Sequence, residues 1–476
     1  MSTKQSGRQQ QRAQMMLNEP ISRVIPKMAI PTIVAFLITS IYSLADTYFV
    51  AKLDAIAASA SAAAENANAA TAAVSVNASL DQLIMMTGSL LAIGANSYIA
   101  RLLGEGKEKK ASTVLSSAFF IAFGLGTLLM IFGTIFIGPM VDLLGATETC
   151  RDYSIDYARY VLLAAPFMAA SFVMNQCLRS EGSATLSMIG MGFGGILNCI
   201  LDPIFIFDLD MGVAGASLAT AISKLVSFAI LIFPYITRRS LLHLSIRNFR
   251  PTVNILTQII TVGSSSMFRS LLAVVAGILL NKLAGNISDS VLAGIGVTTK
   301  IMMFPFSIIL GFGSGFQPVA GFNWGAKRYD RVRESYRFSS IVAIAGAGIM
   351  ALIVAIFARP IITVFAGNNA EMQEIGMLSI ILQCVALPIH AWVAVVNMFC
   401  VGLGNARGAF ILATARQGSC FIPILFPMAY LWGAYGVASV QAAADVLTLA
   451  LAIPIIISML KKVSAAEKAL AAEQKD

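Results

Sequence analysis

Residues 135–147 read IFIGPMVDLLGAT, and 221 positions later residues 356–368 read IFARPIITVFAGN. An apolar run broken by Pro at the same offset and closed by Gly within one residue of it is one segment written twice. The register extends in both directions. Gly104 pairs with Gly325, Pro139 with Pro360, Gly212 with Gly433 and Gly215 with Gly436, each 221 apart, while Pro166 with Pro388 and Gly182 with Gly404 are 222 apart. Turn residues that keep step over so long a stretch mark an internal repeat, and the chain reads as two related halves.

Composition says what medium the halves occupy. Of 476 residues 57% are hydrophobic and 12% charged, against about 25% charged in ordinary soluble domains. Because about 20 apolar residues cross a bilayer core, the chain accommodates spans at about 28–51, 70–100, 112–138, 157–178, 184–207, 212–235, 256–282, 289–316, 337–358, 376–402, 408–431 and 436–460. That is twelve. Six spans separate equivalent points, and an even number gives the halves the same orientation. The expected fold is therefore an all-α integral membrane protein, twelve transmembrane helices in two parallel six-helix repeats around a central cleft. The N-lobe covers residues 28–235 and the C-lobe 256–460. A cytoplasmic segment 1–27, an inter-lobe loop 236–255 and a tail 461–476 complete the chain.

The net charge of +9 would suggest acidic partners in a soluble protein. Here its placement matters more. With the N-terminus inside, 25 of the 33 basic residues fall in inner segments, among them Arg23, Lys27, Lys107, Lys109, Arg179, Arg247, Lys327, Arg331 and Arg416. Both termini are expected in the cytoplasm by the positive-inside rule, in the cell (inner) membrane. The basic loops RLLGEGKEKKAS and GFNWGAKRYDRVRES are topology signals, and no nucleic acid is expected as a partner. The polar N-terminus is too long for a secretory n-region and lacks a cleavage site, so the first span reads as an anchor. No phosphate-binding G-x-x-x-x-G-K-[ST] loop is present, which leaves ATP without a domain on this chain. The six cysteines show no C-x-x-C spacing. His243 and His390 are expected to be a loop histidine and a satisfied membrane histidine. Only residues 54–69 break the repeat: the first interspan tract exceeds its counterpart by about nine residues and reads as a small extracellular helical turn or loop.

The charges left inside the membrane carry the functional reading, since a carboxylate at mid-bilayer costs at least about 2.5 kcal/mol. Asp46, Asp81 and Asp445 lie within spans, and Asp202 sits near the outer end of span five beside Pro203. Asn198 precedes Asp202 by four residues, so both project from one helix face. Two carboxylates close together in a low dielectric favour a shared proton or a bound cation, which outlines a coupling-ion site at Asp46 and Asp202. The bland alternative has both acids capping helix ends in the headgroup region. Asp81 and Lys300 lie near repeat-equivalent points of spans two and eight, where they either pair across the cleft or are separately satisfied. Lys224 and Asp445 are repeat-equivalent in spans six and twelve and suggest only hydrogen bonding within a lobe. Met85, Met86, Met302, Met303 and Phe304 either line an adaptable pocket or pack the core.

IPTIVAFLITSIYSLADTYFVAKL (30–53), IARLLGEGKEKKAS (99–112), NQCLRSEGSATLSMIGMGFGGILNCILDPIFIF (175–207), GVAGASLATAIS (212–223) and GFGSGFQPVAGFNWGAKRYDRV (311–332) together resemble the MATE family of multidrug and toxin extrusion transporters, in its DinF-like prokaryotic branch. The resemblance spans about residues 20–460. It implies a two-lobe antiporter that expels amphipathic, often cationic compounds in exchange for protons or sodium ions, with no cofactor beyond the coupling ion H+ or Na+. Carried over residue by residue, it places coupling at Asp46, Asn198, Asp202 and Thr220, and a helix-four amide, Asn175, in the substrate cleft with Asp81 and Lys300. Another branch of the family uses a helix-seven Glu, and span seven here holds no acid, which favours coupling in the N-lobe. The expected partners are small-molecule substrates and membrane lipid, and the protein is expected to be monomeric. Two alternatives remain: a lipid-linked precursor or oligosaccharide flippase of the same superfamily, for which Arg269 and Lys300 offer few cleft cations, and an integral membrane enzyme, for which the inner loops lack D-x-x-x-D and H-x-x-x-H spacings.

Overall fold

The computed structural model describes residues 14–60, 69–367 and 369–473, and no strand occurs among them. In a bilayer every backbone N–H and C=O must find its partner within the protein, and helices achieve this segment by segment. The long helices are α1 (Ile21–Ala60), α2 (Ala69–Gly104), α3 (Glu108–Ile135), α4 (Arg151–Ser180), α5 (Ala184–Pro203), α6 (Gly212–Ile236), α7 (Val253–Ile287), α8 (Asp289–Gly325), α9 (Tyr329–Ala366) and α10 (Ala370–Gly402). A helical run over 406–473 follows, and Gly433, with φ 54° and ψ −128°, divides it into α11 (406–432) and α12 (434–473). Twelve apolar helices result among the described residues, as the hydropathy reading expects. A seven-residue helix, Ile137–Leu143, covers the first of the two repeated segments. The tract that breaks the repeat is helical in its first part, since α1 continues to Ala60; residues 61–68 lie outside the described residues.

The repeat recurs in the backbone. Gly212 and Gly433 share φ 54°, and Gly182 and Gly404 share φ 76°. These are left-handed conformations that glycine adopts without the clash a Cβ creates. Positions paired in the sequence thus turn the chain the same way in each half.

Two compact units form. Among the described residues, one comprises Val34–Ile99 and Glu108–Ile259, and the other comprises 14–33, Ala100–Lys107 and Ile260 onward. The first third of α1 and the end of α2 therefore pack with the second unit. Arg331 helps hold that arrangement: its guanidinium donates to the carbonyls of Met16 (3.1 Å) and Glu19 (2.7 Å) and to Asn323 Oδ1 (3.1 Å). The core of the first unit gathers Leu80, Ile84, Tyr157, Val161 and Leu162, and a core of the second gathers Met302, Ile309, Ile380 and Leu387. Met302, a pocket candidate in the sequence, is fully buried packing. The outward side of α9 carries Ile349, Leu352, Ile356 and Val364 at 62–82% exposure. Large apolar residues on the outside and polar ones within describe a multi-pass membrane protein.

Candidate functional site

The site grows from the end of α5. Asn198 and Asp202, one turn apart, are both buried, and Asn198 Nδ2 donates to Asp202 Oδ1 at 2.9 Å and to Thr220 Oγ1 of α6 at 3.3 Å. Pro203 brings no N–H to the ladder, and a π-helical turn, Ile204–Asp208, follows it. Such turns widen a helix locally and recur at functional sites. The chain reverses through Gly212 into α6, which returns Thr220 to the Asn198 amide.

Asp46 of α1 joins this group. Its charge and that of Asp202 act on one another, and Asp46 also feels Asp81 of α2 and Lys224 of α6. Four acceptor oxygens in this set, Asp46 Oδ1, Asp81 Oδ1, Asn198 Oδ1 and Asp202 Oδ2, are buried and have no hydrogen-bond partner among the described residues. The cation that acts on this set among the described residues is engaged: Lys224 Nζ donates to the Tyr42 hydroxyl at 3.1 Å and lies 4.8 Å from that ring's centroid. Three carboxylates against one ammonium in a low dielectric make an oxygen-rich, electron-rich site, and a proton or a small hard cation relieves its excess charge.

A cavity of about 380 Å³ opens beside these residues within the same unit, lined among others by Tyr42, Asp81, Met85, Phe172, Asn175 and Lys224. Flexible Met side chains and an aromatic ring give it an adaptable apolar wall, and Asp81 and Lys224 supply its charge.

The sequence profile of the MatE family matches residues 31–204 and 265–431. The chain belongs to the MatE family. Among curated relatives, the multidrug export protein MepA of Staphylococcus saprophyticus is 28% identical over 418 residues, 86% of this chain and 87% of that protein. MepA of Staphylococcus aureus is 26% identical over 426 residues, 88% and 89% of the two chains. Among solved structures, a MATE in complex with MaL6 superposes with a TM-score of 0.86 at 23% identity, covering 96% of this chain and 99% of that one. An outward-facing multidrug resistance MATE family transporter of the MOP superfamily gives 0.85 at 23%, covering 95% and 98%. The curated relatives are export proteins and the solved neighbours transporters, which sets aside a membrane enzyme.

Within this MatE chain the structure brings Asp46, Asn198, Asp202 and Thr220 into one buried cluster. It adds Asp81, whose charge is met by Lys224. Lys300, the cation the sequence set opposite Asp81, is exposed on α8 in the second unit. Asn175 lines the cavity, but its amide is occupied: Nδ2 donates to the Ser187 carbonyl at 3.0 Å, and Oδ1 accepts from Arg179. Arg179 itself is 0% exposed, so it is no inner-loop topology charge. It also donates from Nε to Ser187 Oγ at 3.0 Å and lies 5.6 Å from the Phe36 ring centroid. Arg416, counted with the inner bases as well, sits inside α11 against Asp445. His390 is not satisfied, because its Nδ1 is buried without a hydrogen-bond partner. Sequence reasoning passed over Tyr42, although it precedes Asp46 by four residues and therefore shares its helix face.

Proposed function

We propose that this chain is a secondary-active multidrug efflux transporter that exchanges amphipathic, often cationic compounds for protons or sodium ions by alternating access. One observation carries the reading: four buried oxygens of Asp46, Asp81, Asn198 and Asp202 stand without donors in one cluster of the first unit. Acceptors without donors in a low dielectric hold a cation or a proton. The MepA relatives are multidrug export proteins, which supports the transported class.

In the mechanism, loading Asp46 and Asp202 with a proton, or Asp46, Asp202, Asn198 and Thr220 with a sodium ion, neutralises the cluster. The cavity beside Asp81 then loses part of its attraction for a cationic ligand, because the two positive charges compete for the same carboxylates. Ion and drug thereby stabilise opposite states, which exchange requires. Both termini lie in the cytoplasm in this reading, on the side of the basic loops, and one chain is sufficient as a monomer. The test reconstitutes the protein in liposomes, imposes pH and sodium gradients separately, and follows ethidium. Wild type is expected to move the dye against its gradient under one of them, and Asp46→Asn or Asp202→Asn to abolish that movement. Equal dye movement by all three proteins would overturn the proposal.

A further inference from the structure

The second unit is charged the other way. Among the described residues, Arg269 and Arg416 stand less exposed within its spans against one buried acid, Asp445, while Lys300 is exposed. Arg416 occupies the π-helical turn Ala415–Ser419 that interrupts α11. From there its Nε donates to Asp445 Oδ1 at 2.7 Å, and its guanidinium lies 4.6 Å from the Phe306 ring centroid. His390 Nδ1 stands 3.9 Å from the same carboxylate oxygen, beyond hydrogen-bond reach, and its ring meets Phe306 edge-on at 5.2 Å. Arg269 of α7 donates to Ser266 Oγ of its own helix at 3.4 Å. The charges of Arg269 and Arg416 act on each other and on His390.

Of the two guanidinium groups, Arg416 bonds the carboxylate of Asp445 while Arg269 bonds only a hydroxyl among the described residues. Arg416 Nη2 and His390 Nδ1 are buried with no hydrogen-bond partner among the described residues. Inside a membrane, surplus positive charge is tolerated when an anion completes it. The planar fork of Arg fits a carboxylate with two parallel N–H···O bonds, and Phe306 offers an apolar surface for a hydrocarbon attached to that carboxylate. The side chains of Arg416 and His390 are 13% and 11% exposed, against 4% for Asp445.

We infer that the second unit binds the carboxylate of amphipathic monocarboxylic acids between Arg416 and Arg269, with Phe306 beneath the apolar part. The inference deepens the efflux reading, and rests on it, by adding acids and zwitterions to the compounds carried; the binding itself is measured without transport. The probes are 1-pyrenebutyrate and its neutral counterpart 1-pyrenebutanol, titrated by fluorescence anisotropy against purified protein in nanodiscs. Wild type is expected to bind the carboxylate about tenfold more tightly than the alcohol. Arg269→Gln, and the charge-balanced double variant Arg416→Gln with Asp445→Asn, are expected to reduce that preference below about threefold. Asp445→Asn alone removes the competing internal carboxylate and should tighten pyrenebutyrate by about threefold or more. Lys282→Gln, an exposed base further along α7, leaves the preference unchanged and so controls for general charge. Melting temperatures of each variant establish that it is folded, and Arg416→Lys, which keeps the charge and loses the fork, should give an intermediate preference. Equal binding of acid and alcohol by wild type, or a preference that survives both arginine variants, overturns the inference. Stabilisation by chloride alone in gluconate buffer, with no preference for the acid, assigns the cluster to an inorganic ion and overturns it too. Loss of ethidium export with the carboxylate preference intact would instead sink the efflux reading and leave this site standing.

Discussion

Asn175 and Asn397 make the same hydrogen bond in the two halves of the chain: each sends its side-chain N–H to the carbonyl twelve residues on, Ser187 at 3.0 Å and Ala409 at 2.9 Å. The pair is 222 residues apart, in the register of Gly182 and Gly404. A bond kept in both repeats, when only one repeat carries the acid cluster, is a device of the fold that ties a helix to the one after it.

Asn397→Ala is accordingly expected to cost about 1 kcal/mol, and Asn175→Ala more, about 3 kcal/mol, because it also strips an acceptor from the fully buried Arg179. Thermal unfolding of the detergent-solubilised variants measures both. An unchanged melting temperature for Asn397→Ala together with lost dye binding in Asn175→Ala would make Asn175 a ligand residue instead.

Lys224 partly neutralises Asp46 and Asp81 while Tyr42 holds its ammonium. Removing that charge with Lys224→Met should raise affinity for a monovalent cationic dye on the order of tenfold, since a unit charge within a few ångströms is worth about 1 kcal/mol or more in a partly buried site. Tyr42→Phe keeps the ring beneath the ammonium and should change affinity much less. Equilibrium dye titration distinguishes the two, and weaker binding by Lys224→Met would contradict the assigned role.

Gly104 and Gly325 occupy reciprocal positions where the end of α2 meets α8 in the second unit. A Cβ on Gly104 would stand 2.0 Å from the Phe322 carbonyl oxygen, and one on Gly325 would stand 2.0 Å from that of Arg101. Both neighbours are backbone and cannot swing aside. Alanine at either position should therefore destabilise by about 1–3 kcal/mol, to similar extents, and slow ethidium export. Melting curves and liposome flux check this, and an unaffected Gly325→Ala protein would refute it.

The break between α11 and α12 depends on Gly433 at φ 54° and ψ −128°, in open surroundings with nothing near its missing side chain. Here the obstacle is conformational alone. Gly433→Ala should cost about 1–2 kcal/mol through backbone strain, as should Gly212→Ala at the same φ. A melting temperature equal to wild type would show that the turn relaxes into a region open to alanine.

Much of the fold was legible because the bilayer imposes a simple code. Long apolar runs separated by basic loops have few solutions, and repeat-equivalent glycines at 182 and 404, or 212 and 433, mark turns whose φ they share. The last boundary is legible through the repeat: no charged loop separates α11 from α12, but Gly433 is the partner of Gly212, and its dihedral angles divide the two helices. In the site, Asn198 and Asp202 were readable from their four-residue spacing, since both partners lie on one helix. Arg179 and Arg416 were not. Each lies close enough to an inner end to count as a topology charge, and its partner, Ser187 or Asp445, comes from a helix whose rotation the sequence leaves open.

From the sequence alone come the medium, the twelve crossings, the parallel repeat and the short list of acids too costly to be accidental, because hydrophobic length and the energy of a buried charge are properties of residues one at a time. Only the tertiary structure decides which charges meet. It joins Asp46 and Asp81 to Lys224, and Asp46 to Asp202, in the first unit, and Arg416 to Asp445 beside His390 and Arg269 in the second, because electrostatic energy depends on distances between helices, and packing sets those distances.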